Sequence, residues 1–93
     1  MQDKITQEKI EKYFKLTSMA LKVAEKNIFK GKESEAREII EMASNYISDA
    51  EHFRAKKDFV NSFAALNYAH GWIDSGARLG IFDVKDDRIF TVK

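Results

Sequence analysis

The sequence contains no cysteine and no proline, and it has only four glycines among its 93 residues. Without cysteine, the chain can form neither disulfides nor zinc–thiolate sites, and it has no thiol nucleophile. The absence of proline is compatible with long helices that run without a break. No apolar run approaches the roughly 20 residues that a membrane-spanning helix needs. The N-terminal residues also lack the apolar stretch of a signal peptide, so we expect a cytoplasmic protein.

The chain also lacks an excess of either charge. Sixteen basic and fifteen acidic side chains leave a formal net charge of +1. A balance this even does not favour nucleic acid or an acidic membrane surface as a partner. The hydrophobic fraction of 44% and the charged fraction of 33% are typical of a folded globular protein. A chain of this length builds one core, and we therefore predict a single domain over residues 1–93.

Three amphipathic helices account for most of the sequence, because apolar side chains recur at three- and four-residue spacing. The predicted helices cover residues 4–29, 33–56 and 58–79. Gly31 and Gly80 are placed to end the first and third helices in a left-handed conformation, and Asp58 is placed to cap the third. Short connections force neighbouring helices to run antiparallel. The sequence therefore predicts an all-α fold, an antiparallel up-down-up three-helix bundle.

The C-terminal residues 81–93 have a different pattern. Apolar residues flank the polar turn at residues 85–87, as expected for two short extended segments. A lone hairpin is marginal in water, so we expect this short extended or hairpin-like tail to pack on another surface. That surface belongs either to the chain's own bundle or to a second chain.

The third predicted helix carries polar groups on the stripe that should face the core. On a helical wheel, this stripe runs through Phe59, Val60, Phe63, Leu66, Asn67, His70, Asp74 and Arg78. Asp74 is four residues from both His70 and Arg78, so it can accept a hydrogen bond from each of them. Paired in this way, the buried groups would offset one another's desolvation.

Three interpretations of this polar stripe remain open. It is a buried structural network, it lines an open end of the bundle that binds a small ligand or anion, or His70 and Asp74 take part in catalysis. Catalysis would require a second reactive group from elsewhere in the fold, because no nucleophile lies at motif spacing from His70. Metal binding would require one or two further ligands. We therefore predict no catalytic residue, no metal site and no cofactor, and we expect a non-enzymatic protein.

The opposite side of the same helix is also apolar, with Tyr68 and Trp72 four residues apart. A helix that is apolar nearly all round is normally covered on both sides. Trp and Tyr are enriched at interface hot spots, so either the tail or a protein partner is expected to cover this side. The predicted contact face consists of Tyr68, Trp72, Leu79 and Phe82. Gly71 and Gly76, which each cost up to about 1 kcal/mol in a helix interior, indicate close approach of another backbone.

The segment from Asp49 to Val84, DAEHFRAKKDFVNSFAALNYAHGWIDSGARLGIFDV, resembles the archaeal family described as domain of unknown function 357 (DUF357). The core YAHGWIDSGARLG is its most specific part. The resemblance implies a compact three-helix fold, an archaeal cytoplasmic origin and no assigned activity. It also implies that such domains can accompany nucleotidyltransferase-type domains. Lys57 stands where the family pattern has glycine, so we expect strain in the turn before Asp58.

Two alternative functions follow from these observations. The first is a non-enzymatic protein-interaction or self-association module, whose partner is another protein or a second copy in a homodimer, with no nucleic acid and no membrane. The second is a small-ligand or nucleotide-handling accessory domain. Its polar pocket would be formed by Asn67, His70, Asp74 and Arg78.

Overall fold

The computed structural model describes residues 5–84, and this part of the chain contains three helices. They are α1 (Gln7–Glu25), α2 (Glu33–Ala55) and α3 (Phe59–Arg78). α3 packs against both other helices, most closely against α2. The protein is therefore an all-α, antiparallel up-down-up three-helix bundle, as the sequence predicts.

Side-chain caps determine where α1 and α3 begin. The Thr6 hydroxyl oxygen accepts a hydrogen bond from the backbone N–H of Lys9 at 3.1 Å. The Asp58 carboxylate accepts one from the backbone N–H of Asn61 at 3.2 Å. Each contact satisfies a backbone donor that has no partner within the first helical turn. The predicted N-cap at Asp58 is thus confirmed.

α1 is shorter than predicted, and Gly31 does not end it. The helix ends at Glu25, and the following residues run alongside the chain that comes after α3. The Phe29 N–H, for example, donates to the Ile81 carbonyl at 3.0 Å. The backbone leaves the helix here because these tertiary hydrogen bonds replace helical ones. Gly31 does adopt a positive φ of 92°, but it lies in the turn just before α2.

The chain that follows α3 closes one end of the bundle. Ile81 and Phe82 are buried, and their backbone N–H groups both donate to the Gly76 carbonyl, at 2.9 and 3.3 Å. Phe82 also forms an isolated antiparallel bridge with Ile28. The beginning of the tail therefore docks on its own bundle, whereas the predicted hairpin turn at residues 85–87 lies outside the described residues.

Gly76 makes room for the aromatic ring of Phe82. A Cβ atom at position 76 would lie 2.5 and 2.7 Å from two ring carbons of Phe82, and 3.1 Å from Cδ1 of Ile39. A Cβ atom at Gly71, by contrast, would meet nothing within 4 Å. Of the two glycines expected to allow close approach, only Gly76 does so within the described chain, and the neighbour is a side chain rather than a backbone.

α3 is rotated relative to the predicted wheel. Its buried face consists of Ser62, Ala65, Leu66, Ala69, Ile73 and Gly76. Val60, predicted to lie in the core, is 66% exposed, and Asn67 and Arg78 are exposed as well. The small side chains let α3 pack closely against α2, and Val60 lies outside this contact. The buried Ser62 hydroxyl donates to the Ala50 carbonyl of α2 at 2.8 Å.

We expect Gly76→Ala to lower the free energy of unfolding by about 1–3 kcal/mol, because the added methyl group overpacks the site of the Phe82 ring. Gly71→Ala is the matched control. It should raise the free energy of unfolding by about 0.5–1 kcal/mol in dilute solution, where the chain is monomeric, because alanine has a higher helix propensity than glycine. Urea denaturation followed by circular dichroism measures both. Two glycine variants with the same stability would contradict this account of Gly76.

The turn between α2 and α3 holds Lys57 at a φ of 60°, a conformation that costs a residue with a Cβ atom roughly 1–2 kcal/mol. Lys57→Gly should therefore raise the free energy of unfolding by about 1 kcal/mol, less the entropy that glycine adds to the unfolded chain. Lys56→Gly, where φ is −89°, should lower it. Thermal and urea denaturation of the two variants provide the test, and a loss of stability in Lys57→Gly would contradict it.

Candidate functional site

His70 connects α3 to α1. Its Nδ1 atom lies 3.5 Å from the hydroxyl oxygen of Thr17, and its Nε2 atom lies 3.7 Å from Oδ1 of Asp74. Thr17 is fully buried, whereas the side chains of His70 and Asp74 are 21% and 22% exposed. Both His70 contacts are long. The ring therefore reaches α1 through one weak polar contact, with Thr17, while Asp74 lies beside it on α3 itself.

The other two members of the predicted polar stripe are more exposed than this pair. Asn67 is exposed and borders a depression beside Trp72, and Arg78 is exposed in the last turn of α3. Among residues 5–84, neither of them forms a hydrogen bond with His70. The pocket in which all four side chains bind a small ligand stays a prediction.

Thr17 is the member of this polar group that sequence reasoning did not connect to it. It is buried on the core-facing side of α1, at helical spacing from the apolar residues Phe14 and Ala20. Its partner His70 is 53 residues away in sequence. No local spacing rule links two such positions, so only the packing of α1 against α3 reveals the contact.

The outer side of α3 carries large apolar side chains in contact with solvent. Tyr68 is 63% exposed, Trp72 is 36% exposed and Leu79 is 73% exposed. Tyr68 also stacks on Tyr46 of α2, with ring centroids 5.4 Å apart. These side chains and the small residues between them share one side of the helix, and we call this surface the aromatic face. It consists of Ala64, Tyr68, Gly71, Trp72, Ser75 and Leu79.

Phe82 does not belong to the aromatic face, which corrects its assignment to the predicted contact surface. Its side chain is 1% exposed and packs into the core beside Gly76. The hydrogen bonds of residues 81 and 82 to the end of α3 direct the chain toward α1 and α2. Within residues 5–84, the tail therefore leaves Tyr68, Trp72 and Leu79 exposed.

The aromatic face also lacks charged side chains over most of its length. No Asp, Glu, Lys or Arg occurs between Asp58 and Asp74 in the sequence. The groove between α1 and α2, by contrast, is bordered by Lys22, Glu25 and Glu51. An exposed helix side normally carries charge, whereas the centre of a protein–protein interface is depleted of it and enriched in Tyr and Trp. The gap in the charge pattern covers all sides of α3 up to Asp74, so the sequence indicates an uncharged helix and the exposed fractions of the side chains identify the face.

The described residues offer neither a metal site nor a membrane span. Within residues 5–84, no group of three or more His, Asp or Glu side chains is arranged to hold a metal ion. No helix in this part of the chain is long and apolar enough to cross a membrane. The second histidine, His52, is exposed on α2, with its ring in edge contact with Phe53 at 6.1 Å.

Comparison with known proteins identifies one family. A family model described as protein of unknown function (DUF357) matches residues 12–82, which is more than half of the chain. The matched region includes Thr17, His70 and the entire aromatic face. No curated protein and no solved structure matches the chain significantly.

We expect His70→Ala to lower the free energy of unfolding by about 1–3 kcal/mol, because it leaves a gap between α1 and α3 and removes the partner of a buried hydroxyl. His52→Ala is the matched control and should change stability by no more than about 0.5 kcal/mol. Combining Thr17→Val with His70→Ala should give a coupling energy of about 0.5–1.5 kcal/mol in urea denaturation. Equal stabilities of the two histidine variants would contradict the bridging role of His70.

Proposed function

The chain belongs to the DUF357 family, whose description assigns no activity, and on the basis of its surfaces we propose that it is a non-enzymatic protein-interaction module. The proposed contact surface is the aromatic face of α3. The observation that carries this proposal is the pair Tyr68 and Trp72, which remain exposed on a stretch of α3 that has no charged residue from 59 to 73.

The composition of the face supports protein rather than nucleic acid as the partner. A nucleic-acid surface combines aromatic side chains with Lys or Arg that neutralise phosphates. No Lys or Arg occurs from residue 59 to residue 77. Tyr and Trp without adjacent charge are instead the residues that dominate the binding energy of protein interfaces.

The energetic cost of the exposed rings supports the same proposal. Transfer of apolar surface out of water yields about 25 cal/mol per Å², and Tyr68 and Trp72 keep 63% and 36% of their surface in contact with solvent. Tyr68 and Trp72 therefore forgo stabilisation that burial inside the chain would provide. Exposed apolar patches of this kind mark interaction sites more often than isolated apolar residues do.

The position of His70 supports a structural role for the polar group. Its two ring nitrogens face Thr17 of α1 and Asp74 one turn along α3. Both neighbours belong to the packed interior of the bundle or to its border. The ring is therefore engaged in holding α3 against α1, and the function is assigned to the opposite side of the helix.

Site-specific photo-crosslinking in cells of the organism from which the protein comes tests this function. A benzophenone amino acid in place of Tyr68 should yield a protein adduct of defined mass, and adding Trp72→Ala should reduce its yield at least fivefold. The control position is Met19, an exposed apolar residue of α1 that is 48% exposed. No adduct at position 68 beyond the yield at position 19 would contradict an interaction through the aromatic face.

A further inference from the structure

We infer that the occupant of the aromatic face is a second copy of this chain, with the two α3 helices antiparallel and related by a two-fold axis beside Gly71 and Trp72. This inference rests on the proposed function and adds the identity of the partner. It depends on the order of large and small residues along the face, on its lack of charge and on the unfilled space at Gly71.

Large and small side chains on the aromatic face are placed symmetrically about one point of the helix. That point is midway between Gly71 and Trp72. With a rise of about 1.5 Å per residue, Tyr68 and Ser75 each lie about 5 Å from it along the helix, in opposite directions. Ala64 and Leu79 each lie about 11 Å from it, again in opposite directions. Each large residue thus has a small residue as its counterpart.

If a two-fold axis relating two copies passes beside this point, the large residues of one copy lie opposite the small residues of the other. In an isologous pair, residue i contacts residue j and residue j contacts residue i. Antiparallel α3 helices then place Tyr68 at the level of Ser75 of the other copy, and Leu79 at the level of Ala64 of the other copy. A parallel pairing of two such helices would instead set Tyr68 against Tyr68. The antiparallel pair is therefore the arrangement that packs large residues against small ones.

Gly71 lies next to the axis, where the two backbones come closest. Glycine in a helix interior costs about 1 kcal/mol relative to alanine, and nothing in the described chain requires it, since a Cβ atom there would meet nothing within 4 Å. At the axis, the two Gly71 residues leave room in which the two Trp72 rings pack against each other. Gly76 on the buried side of α3 receives the Phe82 ring of its own chain in a comparable way.

The charges of the described chain favour the same partner. Burying an unpaired charge is unfavourable. An uncharged face therefore binds most favourably to another uncharged face. The surfaces of α1 and α2 are rich in charged residues, and the matching uncharged surface within residues 5–84 is the aromatic face itself. The formal net charge of +1 also leaves little long-range repulsion between two copies.

The size of the face indicates a weak, reversible dimer. A helix of 20 residues is about 30 Å long and about 10 Å wide. A single pair of such helices, with the adjoining α2 surface near Tyr46, buries less than the roughly 1,600 Å² of a standard interface. An interface below the standard size is typical of transient complexes, so the dimer should dissociate on dilution.

Cysteine scanning tests the axis directly, because the natural chain contains no cysteine. Under mild oxidation of the full-length protein, a mixture of Ala64→Cys and Leu79→Cys should form a crossed disulfide at least tenfold faster than either variant forms a disulfide with itself. In the proposed dimer, residue 64 of one copy lies at the level of residue 79 of the other. The two copies of residue 64 would be about 22 Å apart, beyond the Cα separation of about 4.4–6.8 Å that a disulfide allows. Equal rates for the mixture and for Ala64→Cys alone would overturn the proposed axis.

Sedimentation equilibrium provides a second measurement on the chain without cysteine. The average mass should rise toward twice the monomer mass with concentration, and the fluorescence of Trp72, the single tryptophan, should shift to shorter wavelength in parallel. Trp72→Ala should weaken association at least tenfold, and Met19→Ala should leave it unchanged. A monomer throughout, together with a different protein captured at position 68, would overturn the second-copy inference and leave the interaction function standing. A monomer with no adduct at all would overturn both.

Discussion

The contact between the Phe82 ring and Gly76 closes the end of the bundle at which α3 finishes. The ring occupies the space where any other residue at position 76 would place its Cβ atom. With the ring in place, the chain after α3 hydrogen-bonds to the segment after α1, where the Asp83 N–H donates to the Asn27 carbonyl at 2.6 Å. One aromatic side chain thus connects the ends of two helices, and it directs the beginning of the tail into the bundle rather than over the outer side of α3.

Local rules of sequence were sufficient for the helices and for several of their ends. Asp58 caps α3 because a carboxylate at that position reaches the N–H three residues later. Gly80 follows α3 with a φ of 75°, as expected for a left-handed helix terminator. The end of α1 could not be predicted in this way. It is decided by tertiary hydrogen bonds such as that from Phe29 to Ile81, and a helical pattern in the sequence carries no information about them.

The orientation of α3 was mispredicted for a related reason. A helix that is apolar on most of its sides has a weak preference for any one of them, so hydropathy alone does not select the buried face. Ser62 and Ala69 are buried because small side chains allow close packing against α2, while the larger Val60 remains exposed. The spacing of His70 and Asp74 did predict their proximity, because residues four apart in a helix are neighbours. The contact of His70 with Thr17 required the tertiary structure.

Each side of α3 contains a glycine within the helix, but only one of the two glycines is covered by another part of residues 5–84. On the buried side, a glycine exposes backbone surface, and the Phe82 ring of the same chain covers it. On the aromatic face, Gly71 exposes backbone surface beside Trp72, and the described chain leaves this surface open. Glycine in a helix is unfavourable unless close packing offsets its cost. Residues 5–84 provide that packing at Gly76 and not at Gly71. In the dimer that we propose, Trp72 of the second copy provides it at Gly71.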